Sequence, residues 1–95
     1  MTIHDCNKQL EELLSELPEI VSELQKAEYA YQIRFSYLIS HSGMGNAQAR
    51  EAEAVTICNE EGLYEPLLEL RGTQRALYHK KDCLIELSKN LRMIQ

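Results

Sequence analysis

Apolar residues recur at alternating intervals of four and three between residues 10 and 38, and this heptad spacing constrains the fold more than any other feature of the chain. Such spacing is typical of an α-helix whose apolar stripe packs lengthwise against another helix. Further apolar residues beside the seam widen the stripe, which suits a helix with more than one neighbour. The seam comprises Leu10, Leu14, Leu17, Val21, Leu24, Glu28, Tyr31, Phe35 and Leu38, of which Glu28 is the one polar member, and the flanking residues are Leu13, Ile20, Ala27 and Ala30.

A second helix is predicted over about residues 47–93. It opens with AQAREAEA, a run of strong helix formers. Leucine then recurs every seven residues, at Leu63, Leu70, Leu77, Leu84 and Leu91. The companion positions, which alternate with these leucines at intervals of three and four residues, are partly polar. This mixture favours a bundle helix over a dimeric zipper. They are Asn59, Pro66, Thr73, Lys80, Leu87 and Ile94.

A short linker over residues 41–46 separates the two helical segments. It contains Gly43 and Gly45, which can end a helix, and Asn46, which is a good N-cap for the next one. So short a connection makes the flanking helices antiparallel neighbours. We therefore predict a single all-α domain over residues 1–95, a long coiled-coil-like antiparallel hairpin with helices over about 2–40 and 47–93.

Two prolines interrupt the helical segments, and each allows two interpretations. Pro18 favours one helix with a kink near Ser15, although Ser15 could instead cap a separate second helix. Pro66 and Gly62 indicate one kink, because glycine can absorb the distortion that the proline ring causes. A full break there would leave a short helix over residues 46–61 and a longer one from about residue 66.

Self-association is expected, because two helices cannot enclose a core and each keeps an apolar flank in water. With the turn centred near Met44, the chain end from about Leu84 projects beyond the partner helix. We therefore predict a homo-oligomer, with a dimer the expected state, and an interface of Leu84, Leu87, Leu91 and Ile94. The same register pairs Leu10 with Tyr78, Leu24 with Tyr64, and Phe35 with Glu53.

Composition narrows the class of protein. Apolar residues make up 44% and charged residues 26%, and no apolar run is long enough to cross a membrane, so neither a disordered nor a membrane protein is expected. The N-terminus lacks the features of a signal peptide. Three widely spaced cysteines, Cys6, Cys58 and Cys83, predict free thiols in a reducing compartment, which indicates a cytoplasmic protein.

Charge is distributed unevenly along the chain. The net charge of -5 disfavours a general nucleic-acid binder, yet residues 1–28 are acidic and residues 71–95 are basic. Arginine and tyrosine together can hold phosphates and stack on bases, so the basic helix is a candidate anion or nucleic-acid face. A solvated face that complements the acidic segment would explain the same residues without a ligand. The face comprises Arg71, Arg75, Tyr78, Lys81, Lys89 and Arg92.

A tyrosine-rich stretch, YAYQIRFSY, lies near the end of the first helix. Tyr29 and Tyr37 fall off the seam, and with Arg34 they form a candidate patch for a protein partner that the sequence does not identify. The alternative is that these side chains cover the wider stripe in the oligomer.

Catalytic and metal-binding constellations are not expected. His79 and Cys83 share a helix face, and His4 and Cys6 lie near the other terminus, but CxxC, HExxH and HxxxH motifs are all missing. A long helix offers no obvious cleft for a reactive cysteine. We therefore predict no catalytic residue, no bound metal and no cofactor.

The segments LQKAEYAYQIRFSYLI and AREAEAVTICNEEGLYEPLLELRGTQRALYHKKDCLIELSKNLRMI resemble small coiled-coil accessory proteins of bacteriophages and prophages. The resemblance implies a protein that acts by binding in the cytoplasm of a host bacterium. It carries no active-site residues. The sequence thus predicts a non-enzymatic, self-associating adaptor or inhibitor, with binding of nucleic acid or nucleotides through the basic helix as the alternative.

Overall fold

The computed structural model describes residues 1–94, which form three α-helices: α1 (Ile3–Ser40), α2 (Ala47–Glu60) and α3 (Tyr64–Ile94). No strand occurs within these residues, which confirms the all-α prediction. None of the helices in this described part is long and apolar enough to span a membrane. Contacts divide the chain into a terminal unit, residues 1–22 with 71–94, and a central unit, Glu23–Leu70.

Helix α1 begins with a capping box and continues through its internal proline. The Asp5 amide donates to the Thr2 hydroxyl at 3.1 Å, and the Thr2 amide donates back to the Asp5 carboxylate at 3.0 Å. This bond from the Thr2 amide lowers the pKa of the Asp5 carboxyl. Pro18 lies inside α1, so the alternative of two separate helices is not observed. The Ser15 hydroxyl donates to the Glu12 carbonyl at 2.6 Å and caps no new helix.

The predicted second helix is divided in two at residues 61–63, which corrects the expectation of one kinked helix. The Leu63 amide bonds the Cys58 carbonyl and the Gly62 amide bonds the Asn59 carbonyl, both at 3.1 Å. These two bonds form a Schellman motif, which ends α2 and requires the positive φ of 73° that Gly62 adopts. Pro66 lies in the first turn of α3, where an amide hydrogen would have no partner in the helix.

The terminal unit has a leucine core, which buries only some of the residues in the predicted apolar stripe of α1. Leu13, Leu17 and Leu84 are buried together, and Leu10 and Leu77 pack against them. Leu13 is only 3% exposed, whereas Leu14, predicted to lie in the seam, is 53% exposed. The α1 seam therefore keeps Leu17 and Leu24, which are buried as predicted, but the position between Leu10 and Leu17 is occupied by Leu13 instead of Leu14.

The same correction applies to α3. Ser88 is buried, while Leu87, a predicted companion position of the leucine repeat, is exposed. The companion positions of the leucine repeat thus lie one residue later than predicted.

The register between the helical segments differs from the prediction by about two turns. The Ser42 hydroxyl donates to the Glu53 carboxylate at 3.4 Å. Glu53 therefore lies beside the linker, whereas the predicted register placed it near Phe35. The reason is that the linker folds back along α2, where the Arg50 side chain also donates to the Met44 carbonyl at 2.9 Å. The turn therefore lies at the start of α2, which Asn46 caps through a 2.8 Å bond from the Ala49 amide.

Pairing in the terminal unit shows the same shift and removes the predicted overhang. Leu10 lines a groove with Ile85 instead of lying near Tyr78. Leu84 packs against Leu13 and Leu17 in its own chain. The prediction that α3 projects beyond its partner from Leu84 onward is wrong, because the two-turn shift brings this end alongside the start of α1.

The core of the central unit combines small and aromatic side chains. Leu24, Ala54, Cys58 and Leu67 are buried. The Tyr31 ring lies 5.9 Å from Phe35, nearly parallel to it, and 6.0 Å from Tyr64. These ring contacts join α1 to the first residue of α3 on the side of α1 that faces the other helices.

The three cysteines should react with an external thiol reagent at very different rates. Cys6 and Cys58 are fully buried, whereas Cys83 is exposed, and burial further raises the pKa of the Cys58 thiol. In the folded protein we expect Ellman's reagent to modify Cys83 promptly and the other two only after denaturation. A Cys83→Ser variant should lose the fast phase. Rapid modification of Cys58 in the folded protein would contradict the burial described here.

Candidate interaction surfaces

The outer face of α1 in the central unit carries three large exposed apolar side chains. Tyr29, Ile33 and Tyr37 are spaced at i, i+4 and i+8, so they share one face of the helix. Their exposed fractions are 67%, 53% and 51%, respectively. Tyr31 and Leu24, which face the interior, lie on the opposite side of α1. We call these three residues the outer patch.

Arg34 was predicted to belong to this patch, and the structure places it elsewhere. Its Nε donates to both carboxylate oxygens of Glu61, at 3.1 and 2.9 Å, and joins α1 to the end of α2. This bidentate hydrogen bond lowers the pKa of the Glu61 carboxyl. Because the Arg34 and Glu61 side chains are each about one third exposed, the pair contributes little to stability and serves mainly to orient the two helices.

The same arginine fixes one tyrosine of the outer patch. The Arg34 guanidinium lies 5.5 Å from the centre of the Tyr37 ring, and the His41 ring stacks on Tyr37 at 4.1 Å. His41 Nδ1 also lies 2.9 Å from the Tyr37 carbonyl oxygen, the distance of a hydrogen bond. Tyr37 is thus held between two side chains while half of its surface stays exposed.

The candidate anion face on α3 is only partly cationic. Lys81 Nζ lies 4.9 Å from the centre of the Tyr78 ring, so both side chains already have a partner. Lys89 pairs with Glu86 at 3.6 Å, and Asp82 lies between these basic positions. Arg71, Arg75 and Arg92 are exposed. This arrangement resembles a solvated face with mixed charges more than a continuous basic stripe.

The four leucine and isoleucine residues predicted as an oligomer interface do not form one surface. Leu84 is buried within its own chain, and Leu91 is half-buried. Leu87 and Ile94 are exposed, and their spacing of seven residues places them together on a flank of α3. Leu84 is therefore corrected from an interface residue to a core residue.

The histidine and cysteine pair on α3 is close but isolated. Cys83 Sγ lies 3.7 Å from His79 Nε2. Among residues 1–94 no group of three or more histidine, cysteine, aspartate and glutamate side chains is arranged to hold a metal ion. The pair alone lacks the ligands that a tetrahedral zinc site requires.

The exposed surfaces described above contain no arrangement that defines a family by itself. No family model, curated protein or solved structure matches the chain. Function is therefore inferred from the side chains that the helices present and from their chemistry.

Ile33 is the member of the outer patch that the sequence reasoning missed. It lies four residues from both Tyr29 and Tyr37, on the side of α1 opposite the heptad seam. A search for apolar residues at i, i+4 and i+8 away from the seam would have found all three.

Proposed function

We propose that the chain is a non-enzymatic, self-associating helical protein, folded as an antiparallel coiled-coil-like hairpin, that binds another protein through the outer patch. The supporting observation is that Tyr29, Ile33 and Tyr37 are each more than half exposed on the side of α1 turned away from its own contacts. An adaptor or inhibitor of this kind agrees with the resemblance to phage accessory proteins.

The chemistry of the patch suits a protein partner. Tyrosine is enriched at protein interfaces because its ring buries a large area while its hydroxyl retains a hydrogen-bond donor. Tyr37 is already held by Arg34 and His41, so its binding would cost less conformational entropy than that of a free side chain. An apolar spacing of i, i+4 and i+8 on a helix fits a groove on the partner.

Photo-crosslinking would identify the partner. We expect a photoreactive benzophenone amino acid at position 33 to crosslink a specific protein in an extract of the source organism. The matched control places the same group at position 56, on the exposed side of α2, where the Thr56 hydroxyl donates to the Ala52 carbonyl of the same helix. The same protein captured equally from both positions would contradict binding through the outer patch.

Alanine substitutions would then measure the contribution of the patch. With the purified partner, we expect Tyr29→Ala and Tyr37→Ala each to weaken binding by about tenfold or more, as is typical of interface tyrosines. Leu68→Ala is the matched control, because Leu68 is 48% exposed on α3 in the same unit but lies outside the patch. Isothermal titration calorimetry provides the measurement, and unchanged affinity in both tyrosine variants would refute the assignment.

Self-association is testable by itself. Sedimentation velocity of the purified chain at micromolar concentration should show a species larger than 11.0 kDa. A single monomer over the whole concentration range would remove this part of the proposal.

Binding of nucleic acid remains the second candidate, since Arg71, Arg75 and Tyr78 are all exposed at i, i+4 and i+7 on α3. It predicts binding to single-stranded oligonucleotides that weakens steeply with salt and is reduced by Arg75→Ala. Binding that is undetectable at low salt, or the same in this variant, would eliminate the candidate.

A further inference from the structure

One side of the terminal unit carries a groove between α1 and α3. Its volume is about 130 Å³, and its lining residues are Asn7, Leu10, Ile85, Ser88, Lys89 and Arg92. The Ser88 hydroxyl is buried and has no hydrogen-bond partner, whereas most buried polar groups in proteins have one. Leu14 lies one turn from Leu10 and is 53% exposed, so the apolar surface continues along α1 beside the groove.

The groove has a basic edge. Lys89 and Arg92 follow Ile85 at i+4 and i+7, so all three lie on the same side of α3. Lys89 pairs with Glu86 at 3.6 Å, but both side chains are about two thirds exposed, and such a pair is weak. Tyr78, seven residues before Ile85, extends this edge with a partly exposed ring. We call this side, apolar along α1 and basic along α3, the groove side.

Carboxylates of α1 lie on the other side of the terminal unit. Each residue of a helix is rotated by about 100° from the one before, so Leu14 and Glu12 lie on opposite sides of the buried Leu13. Glu16 and Glu19 follow Glu12 at i+4 and i+7 and share its side. These three glutamates are exposed, and Asp5 precedes Glu12 by seven residues.

The α3 residues on that side are less charged. Ile85 and Cys83 flank the buried Leu84, so Cys83 and the exposed Leu87, one turn later, lie away from the groove. Lys80 is three residues before Cys83 and offsets part of the negative charge. We call this side, acidic along α1 and apolar along α3, the acidic side.

We propose that a second copy of the chain covers the groove, and that it does so with its acidic side. This inference rests on the self-association proposed above and specifies which surfaces meet. Unlike sides are complementary in both charge and polarity when α1 of each copy lies against α3 of the other. The basic edge of α3 then meets the glutamates of α1, and Leu14 meets Leu87. Two acidic sides would instead place Glu12, Glu16 and Glu19 against the same glutamates or against the apolar residues of α3, and both contacts are unfavourable.

The mode of contact has a consequence for the size of the assembly. A contact between unlike sides leaves one groove side and one acidic side uncovered in a pair of chains. Further copies can therefore add, either until a ring closes or without limit as an open filament. We expect an assembly larger than a dimer, in contrast to the dimer expected from the sequence.

Charge reversal with mixing tests the proposal. One variant, Lys89→Glu with Arg92→Glu, makes the groove side acidic, and another, Glu12→Lys with Glu16→Lys, makes the acidic side basic. Each variant alone should associate about 100-fold more weakly than the unmodified chain, because like charges then meet. An equimolar mixture should reassociate, since each variant again offers complementary sides to the other. Sedimentation velocity measures the assembly, and circular dichroism verifies that each variant is helical.

A control variant separates this effect from a change in net charge. Lys26→Glu with Gln32→Glu and Gln48→Glu changes the net charge by the same amount as the groove-side variant, at three exposed positions of the central unit. This variant should remain associated. The unmodified chain provides a measurement that needs no variant, because its assembly should become smaller when salt is raised from about 0.05 to 1 M.

The outcomes distinguish the two proposals. If the unmodified chain is monomeric, both the self-association and its mode are overturned. If it associates but the reversed variants associate equally well, or their mixture does not recover, contact between unlike sides is overturned while self-association stands. A closed dimer would also overturn contact between unlike sides, because that contact leaves one groove side and one acidic side uncovered in a pair of chains.

Discussion

Replacing Leu13 with alanine should lower the free energy of unfolding by about 3 kcal/mol, since truncation of a buried leucine loses transfer free energy and leaves a cavity. Leu13 is 3% exposed and packs with Leu17 and Leu84 at the centre of the terminal unit. This cluster joins α1 to α3, so the loss should affect the cooperative unfolding of both segments. Urea denaturation followed by circular dichroism measures the change, at one fixed protein concentration because the chain is expected to associate.

Leu14→Ala is the matched control, one position away and with the same change of side chain. Leu14 is 53% exposed in a single chain but lies in the contact proposed between copies, so both variants are compared at a dilution at which sedimentation velocity shows a monomer. There, truncation of Leu14 should change the free energy of unfolding by no more than about 0.5 kcal/mol. The sequence pattern predicts the reverse order, with Leu14 in the seam. A larger loss of stability for Leu14→Ala than for Leu13→Ala would show that α1 uses the predicted face.

The helices of the fold could be predicted from the sequence, but the face that each presents could be predicted only approximately. Heptad spacing and the Gly-rich linker identify the all-α class and the separation of α1 from α2. The spacing places Leu14 in the seam and Leu13 beside it, but both are leucines, so a small rotation of the helix exchanges them without any change in the apolar pattern. That choice depends on how α3 packs, and Ser88 in the seam of α3 has no apolar signal that would reveal it.

The register could not be derived because it depends on the path of the linker. A prediction that centres the turn at Met44 assumes that α2 starts beside the last turn of α1. In the structure the Ser42 hydroxyl and the Met44 carbonyl bond to side chains of Glu53 and Arg50, so the linker runs along α2 and uses its first turns. This difference of two turns explains why Leu84 is a core residue and no overhang exists.

The candidate surfaces could be predicted in part. Tyr29 and Tyr37 fall off the heptad seam, which predicts their exposure, and the nearby Arg34 is placed on the same surface because tyrosine and arginine are both common at protein interfaces. Its actual partner, Glu61, lies far along the chain, and only the fold brings the two together. The identity of a binding partner is not encoded in the periodicity at all, since any apolar patch of this spacing would produce the same pattern.

Replacing Gly62 with alanine should lower the free energy of unfolding by about 1 kcal/mol, because the positive φ of 73° at this position is unfavourable for a residue with a Cβ. No atom lies within 4 Å of the added methyl group, so the cost comes from the backbone alone. Gly72→Ala is the matched control: it lies inside α3 with equally open surroundings, and alanine there should raise stability by up to about 1 kcal/mol.

The two glycine substitutions are expected to change the free energy of unfolding in opposite directions, and this difference tests the break between α2 and α3. Both variants add one methyl group, so their difference in urea denaturation reports only the backbone conformation at each site. If Gly62→Ala were instead stabilising and increased the helical signal, α2 and α3 would have joined into the single long helix that the leucine repeat predicts. The Schellman bonds from Gly62 and Leu63 oppose that outcome, because they satisfy the last carbonyls of α2 only when the chain turns at this position.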